Sequence, residues 1–178
     1  MKEDSVNRLI IGLNQVLTRT VYLLYPALIA YLLILWLSSG ESLILRGLLV
    51  PGISFVLVSI FRRIYNAPRP YEAADAKAPI IKKDSLGKSF PSRHIFSVFI
   101  IAITYLWVAW SMFESELATW PESWRFIPGL IVALGVLTFL VGVVLAFVRV
   151  LGGVHFPRDV IAGAIIAIVC GALGFWLI

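Results

Sequence analysis

Residues 126–148, FIPGLIVALGVLTFLVGVVLAFV, contain no charged side chain. A helix needs about 20 apolar residues to cross the hydrocarbon core of a bilayer, so this stretch is long enough to span a membrane. The whole chain is 60% hydrophobic and only 14% charged, whereas soluble domains carry about 25% charged residues. The sequence therefore predicts an integral membrane protein and excludes an ordinary soluble domain.

Four further stretches approach the length of a membrane span. Residues 20–40, 95–113 and 160–178 are uncharged, and residues 47–61 reach span length when 42–46 are included. Arg46 would then lie at the interface, where its long side chain can reach water. A stripe of small residues in the last span, Gly163, Ala167 and Gly171, favours close helix packing. We predict an all-α fold: a single membrane-embedded domain over residues 1–178 with five transmembrane helices.

The first 19 residues have a different pattern. Their apolar side chains recur at the spacing of one helix face. They are Val6, Leu9, Ile10, Leu13, Val16 and Leu17. This pattern predicts an N-terminal amphipathic helix over residues 1–19 that lies in the membrane interface. A soluble helix that binds a partner is the alternative interpretation.

Five spans would place the N-terminus and the segments 62–93 and 149–159 on one membrane face. That face carries both histidines and all of the 15 Lys and Arg residues except Arg46 and Arg125. Basic residues beside spans orient insertion and favour the cytoplasmic side. The basic stretch 77–88 fits this role, and attraction of acidic headgroups is the alternative.

Three polar clusters stand at the ends of the spans on this face. They are RRIYNAPRP at 62–70, FPSRH at 90–94 and RVLGGVHFPRD at 149–159. Their candidate functional residues are Arg62 and Arg69, then Ser92, Arg93 and His94, then Arg149, His155 and Asp159.

The last two clusters open helices, and a helix N-terminus favours an anion. Guanidinium groups match phosphate oxygens in shape and charge. Ser92 alone could be a helix cap, and Asp159 alone could complement a helix dipole. Together the clusters predict a phosphate site at the membrane surface.

The order and spacing of the clusters resemble the three motifs of the type 2 phosphatidic acid phosphatase superfamily, which includes bacterial undecaprenyl-diphosphate phosphatases. The first family motif is Lys-x6-Arg-Pro, and here Arg62 stands in place of the Lys. The second is Pro-Ser-Gly-His, with Arg93 in place of the Gly. The third is Ser-Arg-x5-His-x3-Asp, with Val148 in place of the Ser. The resemblance covers residues 43–178.

The resemblance implies a role for each candidate. His155 would attack phosphorus to form a phosphohistidine, Asp159 would fix the His155 ring, and His94 would protonate the leaving oxygen. The phosphate would be bound by the remaining candidates, Arg62, Arg69, Ser92, Arg93 and Arg149. The two histidines would then begin the reaction in opposite protonation states.

The implied activity is metal-independent hydrolysis of a lipid phosphate within a cell membrane, with the bilayer as the surrounding partner and no nucleic acid. No cofactor and no metal are expected. Prenyl diphosphates, phosphatidic acid and phosphatidylglycerophosphate all fit a site at headgroup depth. A lipid-to-lipid phosphotransferase and a non-catalytic membrane protein or transporter are the alternatives. The face of the active site stays open, because the resemblance favours the extracytoplasmic side and the basic residues favour the cytoplasmic side.

Overall fold

The structure, a computed structural model, describes residues 2–39, 43–83, 85–114, 122 and 125–177. Within these ranges the chain forms five long α-helices and no β-strand. The helices are α1 (Lys2–Ser39), α2 (Leu43–Tyr65), α3 (Arg93–Glu114), α4 (Ile127–Leu151) and α5 (Pro157–Leu177). A short 3-10 helix, Pro70–Glu72, lies in the connection between α2 and α3. The predicted all-α class is confirmed.

The helices present apolar surfaces outward. Each of the five helices in the described ranges is long and apolar enough to cross a membrane, with a mean hydropathy between 2.0 and 2.9 over its most apolar stretch. Large side chains such as Leu23, Ile64 and Trp176 are 73%, 79% and 80% exposed. Apolar surface on this scale is unsuited to water and suited to lipid. The chain is therefore a multi-pass membrane protein.

Helix α3 lies at the centre of the bundle. Of its most apolar stretch 67% is buried, against 33% or less in the other helices, and it packs mainly against α4 and α5. A Cβ atom added to Gly163 would lie 2.7 Å from the carbonyl oxygen of Ser92, and one added to Gly171 would lie 2.8 Å from Ile103. The predicted close approach of the small-residue stripe is confirmed, and it brings the start of α5 against the start of α3.

The amphipathic N-terminal segment is the first half of α1 rather than a separate element. No proline interrupts the helix before Pro26, so its backbone hydrogen bonding continues from the amphipathic segment into the apolar one. At about 1.5 Å per residue, a helix of this length measures about 57 Å, which exceeds the roughly 30 Å of the hydrocarbon core. Part of α1 therefore extends beyond the apolar core, and its location in the interface stays a prediction.

Candidate active site

The connection between α2 and α3 is anchored over one end of the bundle. The Oε1 atom of Glu72 accepts hydrogen bonds from the backbone N–H groups of Gly87 at 2.6 Å and Arg69 at 3.1 Å. The N–H of Ile81 donates to the carbonyl oxygen of Gly152, 3.2 Å away. The Ile81 contact joins the connection to the short turn between α4 and α5, where the third motif lies.

Arg62, in the last turn of α2, is buried and bonded to this connection. Its Nη1 donates to the carbonyl oxygen of Pro91, and its Nη2 donates to that of Lys88. The side chain therefore links the first motif to the segment that leads into α3. A guanidinium has five N–H donors, so these bonds leave others for an anion.

Arg69 forms a second link between distant segments. Its Nε donates to the carbonyl oxygen of Gly87 at 2.9 Å, and its Nη1 donates to that of Val154 at 2.9 Å. The sequence motifs predict phosphate binding alone for both arginines. The structure adds that they hold the loops of the second and third motifs in place.

His155 and Asp159 are buried together at the start of α5. The Nδ1 of His155 lies 3.5 Å from Oδ2 of Asp159, and the same oxygen accepts a hydrogen bond from the backbone N–H of Phe156 at 3.0 Å. Asp159 therefore both caps the helix and faces the His155 ring. With Nδ1 directed at the carboxylate, Nε2 is the nitrogen left for chemistry.

His155 is neutral at physiological pH. Burial lowers the pKa of His155 to about 4, and the neighbouring charges of Arg69 and Arg149 act in the same direction. The Asp159 carboxylate, 3.5 Å from Nδ1, opposes this shift but does not outweigh burial. A neutral imidazole has the free electron pair that a nucleophile requires.

Two of the predicted phosphate ligands have polar atoms without a partner. Within the described ranges, Oγ of Ser92 and Nε of Arg149 are buried and accept or donate no hydrogen bond. Ser92 directly precedes α3, yet its hydroxyl does not cap the helix. A buried polar group without a partner costs about 1–3 kcal/mol, so the two atoms are suited to a bound polar ligand.

Arg93 and His94 line a cleft of ≈ 630 Å³ between α2 and the α2–α3 connection. Arg93 is exposed, and its guanidinium carbon lies 5.4 Å from the ring centroid of Phe55. The side chain that replaces the family's glycine thus extends along α2 as a cation–π contact. Apolar residues of α2, including Val56 and Ile60, continue the cleft toward the bilayer interior.

The three motifs converge on one region. The charged neighbours of Arg62 include Arg69, Arg93, Arg149 and Asp159. Those of His94 include Arg149 and His155. The backbone N–H of Ser92 donates to the carbonyl oxygen of Asp159 at 2.8 Å. All the predicted site residues therefore lie at the same end of the bundle, with His94 facing the cleft and His155 buried behind it.

Two residues outside the motifs also belong to this region. Ser89 is fully buried, and its hydroxyl donates to Oδ2 of Asp159 at 2.5 Å. Lys83 lines the cleft beside Arg93 and His94. The sequence does not mark either residue as part of a site, because one serine before the second motif and one lysine in a basic stretch have no characteristic spacing. Within the described part of the chain, no three His, Cys, Asp or Glu side chains lie close enough to share a metal ion.

The fold and the convergent motifs define an integral membrane lipid phosphatase. A family model described as the PAP2 superfamily matches residues 35–178, and the chain belongs to this superfamily.

Three known proteins are similar to this chain. The chain is 29% identical over 163 residues to the undecaprenyl-diphosphatase BcrC of Bacillus subtilis (strain 168), an alignment that covers 87% of this chain and 71% of BcrC. The crystal structure of Aquifex aeolicus LpxE has a TM-score of 0.59 at 24% identity and covers 97% of this chain and 93% of LpxE. The crystal structure of a PAP2 type phosphatidylglycerolphosphate phosphatase from Bacillus subtilis has a TM-score of 0.62 at 19% identity. The match covers 99% of this chain and 84% of that phosphatase. The two structures support the fold.

Proposed function

We propose that this chain hydrolyses a lipid diphosphate or lipid phosphate monoester through a phosphohistidine on His155, and that a prenyl diphosphate is its preferred substrate. One observation carries the proposal: two buried groups that can donate a hydrogen bond but have no partner, Oγ of Ser92 and Nε of Arg149, belong to the motifs that surround a neutral His155. A phosphate oxygen accepts hydrogen bonds from both groups. The similarity to an undecaprenyl-diphosphatase supports the choice of substrate.

The first step transfers the phosphoryl group to the enzyme. Nε2 of His155 attacks phosphorus, the bond from phosphorus to the leaving oxygen breaks, and His94 gives that oxygen its proton. Asp159 holds Nδ1 and stabilises the positive charge that develops on the ring. The arginines of the three motifs neutralise the phosphate oxygens as the nucleophile approaches.

The second step releases phosphate. Water attacks the phosphohistidine, His94 accepts a proton from that water, and the bond between nitrogen and phosphorus breaks to restore neutral His155. His94 needs its proton before the first step begins. The negative charge of the bound phosphate favours that proton.

The cleft accounts for a lipid substrate. Its lining combines basic side chains with Phe55, Val56 and Ile60, which lie on the apolar part of α2. The reacting phosphate can therefore bind between His94 and His155 while the attached chain lies along α2 in the apolar region. This arrangement suits a molecule that already resides in the bilayer.

The test is phosphate release by the purified protein in detergent, with a chelator present, from farnesyl diphosphate, phosphatidic acid and phosphatidylglycerophosphate. We expect His155→Ala to lose activity on every substrate, including p-nitrophenyl phosphate. We expect His94→Ala to lose about 10²–10⁴ in rate on the lipids but to retain a first-turnover burst of p-nitrophenol from p-nitrophenyl phosphate, whose leaving group needs no proton. Cys170→Ala, in the middle of α5, is the control. Full activity in His155→Ala would contradict the proposal.

A further inference from the structure

The cleft beside His94 carries an excess of positive charge. Among the residues that the structure describes, its lining includes basic side chains but no acidic one. The basic residues are Arg62, Arg63, Arg69, Lys83, Lys88 and Arg93. The hydrogen bonds of Arg62 and Arg69 go to neutral carbonyl groups, and Asp159 is the carboxylate that acts on both guanidinium charges, so positive charge is in excess in the cleft. A ligand with more than one anionic group complements such a cleft better than a single phosphate does.

Lys83 has a particular position in this lining. It is half-buried, unlike its exposed neighbour Lys82, and it is one of the charged neighbours of His94. Burial lowers the pKa of Lys83 to about 8, with Arg69 and Arg149 adding to the shift. The amine therefore remains largely protonated at pH 7, and it faces other cations.

The position of Lys83 defines which part of a substrate it can reach. The reacting phosphorus must lie at Nε2 of His155, behind the cleft, and the leaving oxygen must lie near His94, which faces the cleft. In a lipid diphosphate, the leaving oxygen belongs to the second phosphate, the one attached to the lipid. A lipid monophosphate has no charged group at this place.

Resting on the proposed function, we propose that Lys83 is a specificity-determining residue that binds the leaving phosphate of a lipid diphosphate. It stabilises the negative charge on that phosphate as the bond to the reacting phosphorus breaks. Lys83 thus favours diphosphates over monophosphates with the same chain.

The experiment compares farnesyl diphosphate with farnesyl monophosphate, which differ only in the second phosphate. We expect Lys83→Gln to lower kcat/KM about tenfold on the diphosphate, the size of a lost hydrogen bond to a charged group, and to change it less than about twofold on the monophosphate. Lys83→Arg should retain the preference, and Lys82→Gln is the matched control.

Equal losses on the two substrates, or no loss on either, would overturn the role of Lys83. A wild-type protein that hydrolyses neither substrate would instead overturn the proposed function. The melting temperature of each variant separates a folding defect from a change in specificity, and Lys83→Met provides a second neutral side chain.

A second inference concerns Ser89 and rests on a different observation. The Ser89 hydroxyl donates to Oδ2 of Asp159 at 2.5 Å and lies 3.4 Å from Nδ1 of His155. Its backbone N–H donates to the carbonyl oxygen of Ala67 at 2.9 Å, which fixes its place. We infer that Ser89 is a positioning residue that holds the Asp159 carboxylate toward the His155 ring.

The test measures kcat, KM and the pH dependence of kcat/KM. Ser89→Ala removes a hydrogen bond to the Asp159 carboxylate, so it should lower kcat about tenfold with KM unchanged. Without that bond, more of the Asp159 charge acts on His155, so the acidic limb of the profile should move to higher pH. Thr104→Val, which removes a buried hydroxyl that donates to Ile100 within α3, is the control.

Ser89→Thr keeps the hydroxyl and should restore the profile, which a purely structural role does not predict. Equal loss of kcat in Ser89→Ala and Thr104→Val without a shift of the acidic limb would overturn the inference. An unchanged kcat in Ser89→Ala would do the same. Ser89→Cys serves as the second variant if Ser89→Ala does not fold.

Discussion

The His155 side chain is buried and uncharged, and its protonation therefore opposes folding. Its pKa is about 4 in the folded protein, against an ordinary value of 6.5. Between these values the unfolded chain binds a proton that the folded protein does not, so the stability present above pH 6.5 is lost as the pH falls toward 4. The full shift corresponds to a loss on the order of 3 kcal/mol.

This loss predicts a difference between two pH series. The melting temperature of the wild type should fall more steeply from pH 6.5 to 4 than that of His155→Gln, whose amide does not titrate. The measurement is thermal unfolding of both proteins in the same detergent, and it does not depend on any substrate. Parallel curves for the two proteins would show that His155 is not held neutral.

Arg62 occupies a place where the family has lysine, and its two bonded nitrogens explain why lysine does not replace it here. The Nη atoms reach the carbonyl oxygens of Pro91 and Lys88 at once, whereas one ammonium cannot reproduce this planar fork. Arg62→Lys should therefore destabilise the protein by about 1–3 kcal/mol and reduce activity. Thermal unfolding checks this, with the exposed neighbour Arg63→Lys as the stability control. A melting temperature equal to that of the wild type would show that the two hydrogen bonds of Arg62 do not stabilise the fold.

At the scale of residues, the sequence predicts the candidate site residues that stand at characteristic spacings. The histidines, Asp159 and the arginines were found because they recur at fixed distances in three motifs. Ser89 and Lys83 were not, because their importance comes from a loop that folds back onto α5 and the cleft. The hydrogen bonds of Arg62 and Arg69 to loop carbonyl groups were also not predictable, because the sequence does not show where the backbone of those loops lies.

At the scale of elements, the approach of α5 to α3 determines whether the second and third motifs meet. A Cβ atom on Gly163 would lie 2.7 Å from the carbonyl oxygen of Ser92, and this obstacle is backbone rather than a flexible side chain. Gly163→Ala should push the start of α5 from the start of α3, with a loss of stability of about 1–3 kcal/mol and a larger loss of activity. Phosphate release and thermal unfolding measure both.

Gly129→Ala is the matched control for Gly163→Ala. Gly129 is also helical, but nothing lies within 4 Å of an added Cβ atom, so the better helix propensity of alanine should leave stability unchanged or raise it by about 0.5–1 kcal/mol. Equal activities for the two variants would show that the contact between α3 and α5 does not position the site.

The extent of the helices was predictable except at the N-terminus. Uncharged stretches gave α2 to α5 within a few residues, because lipid requires long runs of apolar side chains. The amphipathic segment and the first span differ in composition, and this difference predicts two elements where the structure has one helix. Helix continuity depends on backbone hydrogen bonding, which a change from amphipathic to apolar composition does not interrupt.

At the scale of the whole molecule, an odd number of spans places the two ends of the chain on opposite sides of the membrane. The α2–α3 connection, with Lys77, would then lie on the opposite side from the connection that follows α3, which contains Glu122 and Arg125. The excess of basic residues on the first side follows the usual bias of cytoplasmic loops, but several of them serve the phosphate site, so the bias alone does not identify that side.

Cysteine labelling in intact cells tests this arrangement. In a Cys170→Ala background, we expect Lys77→Cys and Glu122→Cys to react with a membrane-impermeant thiol reagent from opposite sides, so that one labels before permeabilisation and the other only after it. Labelling of both from one side would contradict a chain with five crossings. The side on which Lys77→Cys reacts is also the side of His94 and the cleft, because Ile81 and Arg69 join this connection to the α4–α5 turn. The same experiment therefore determines which leaflet supplies the phosphate headgroup.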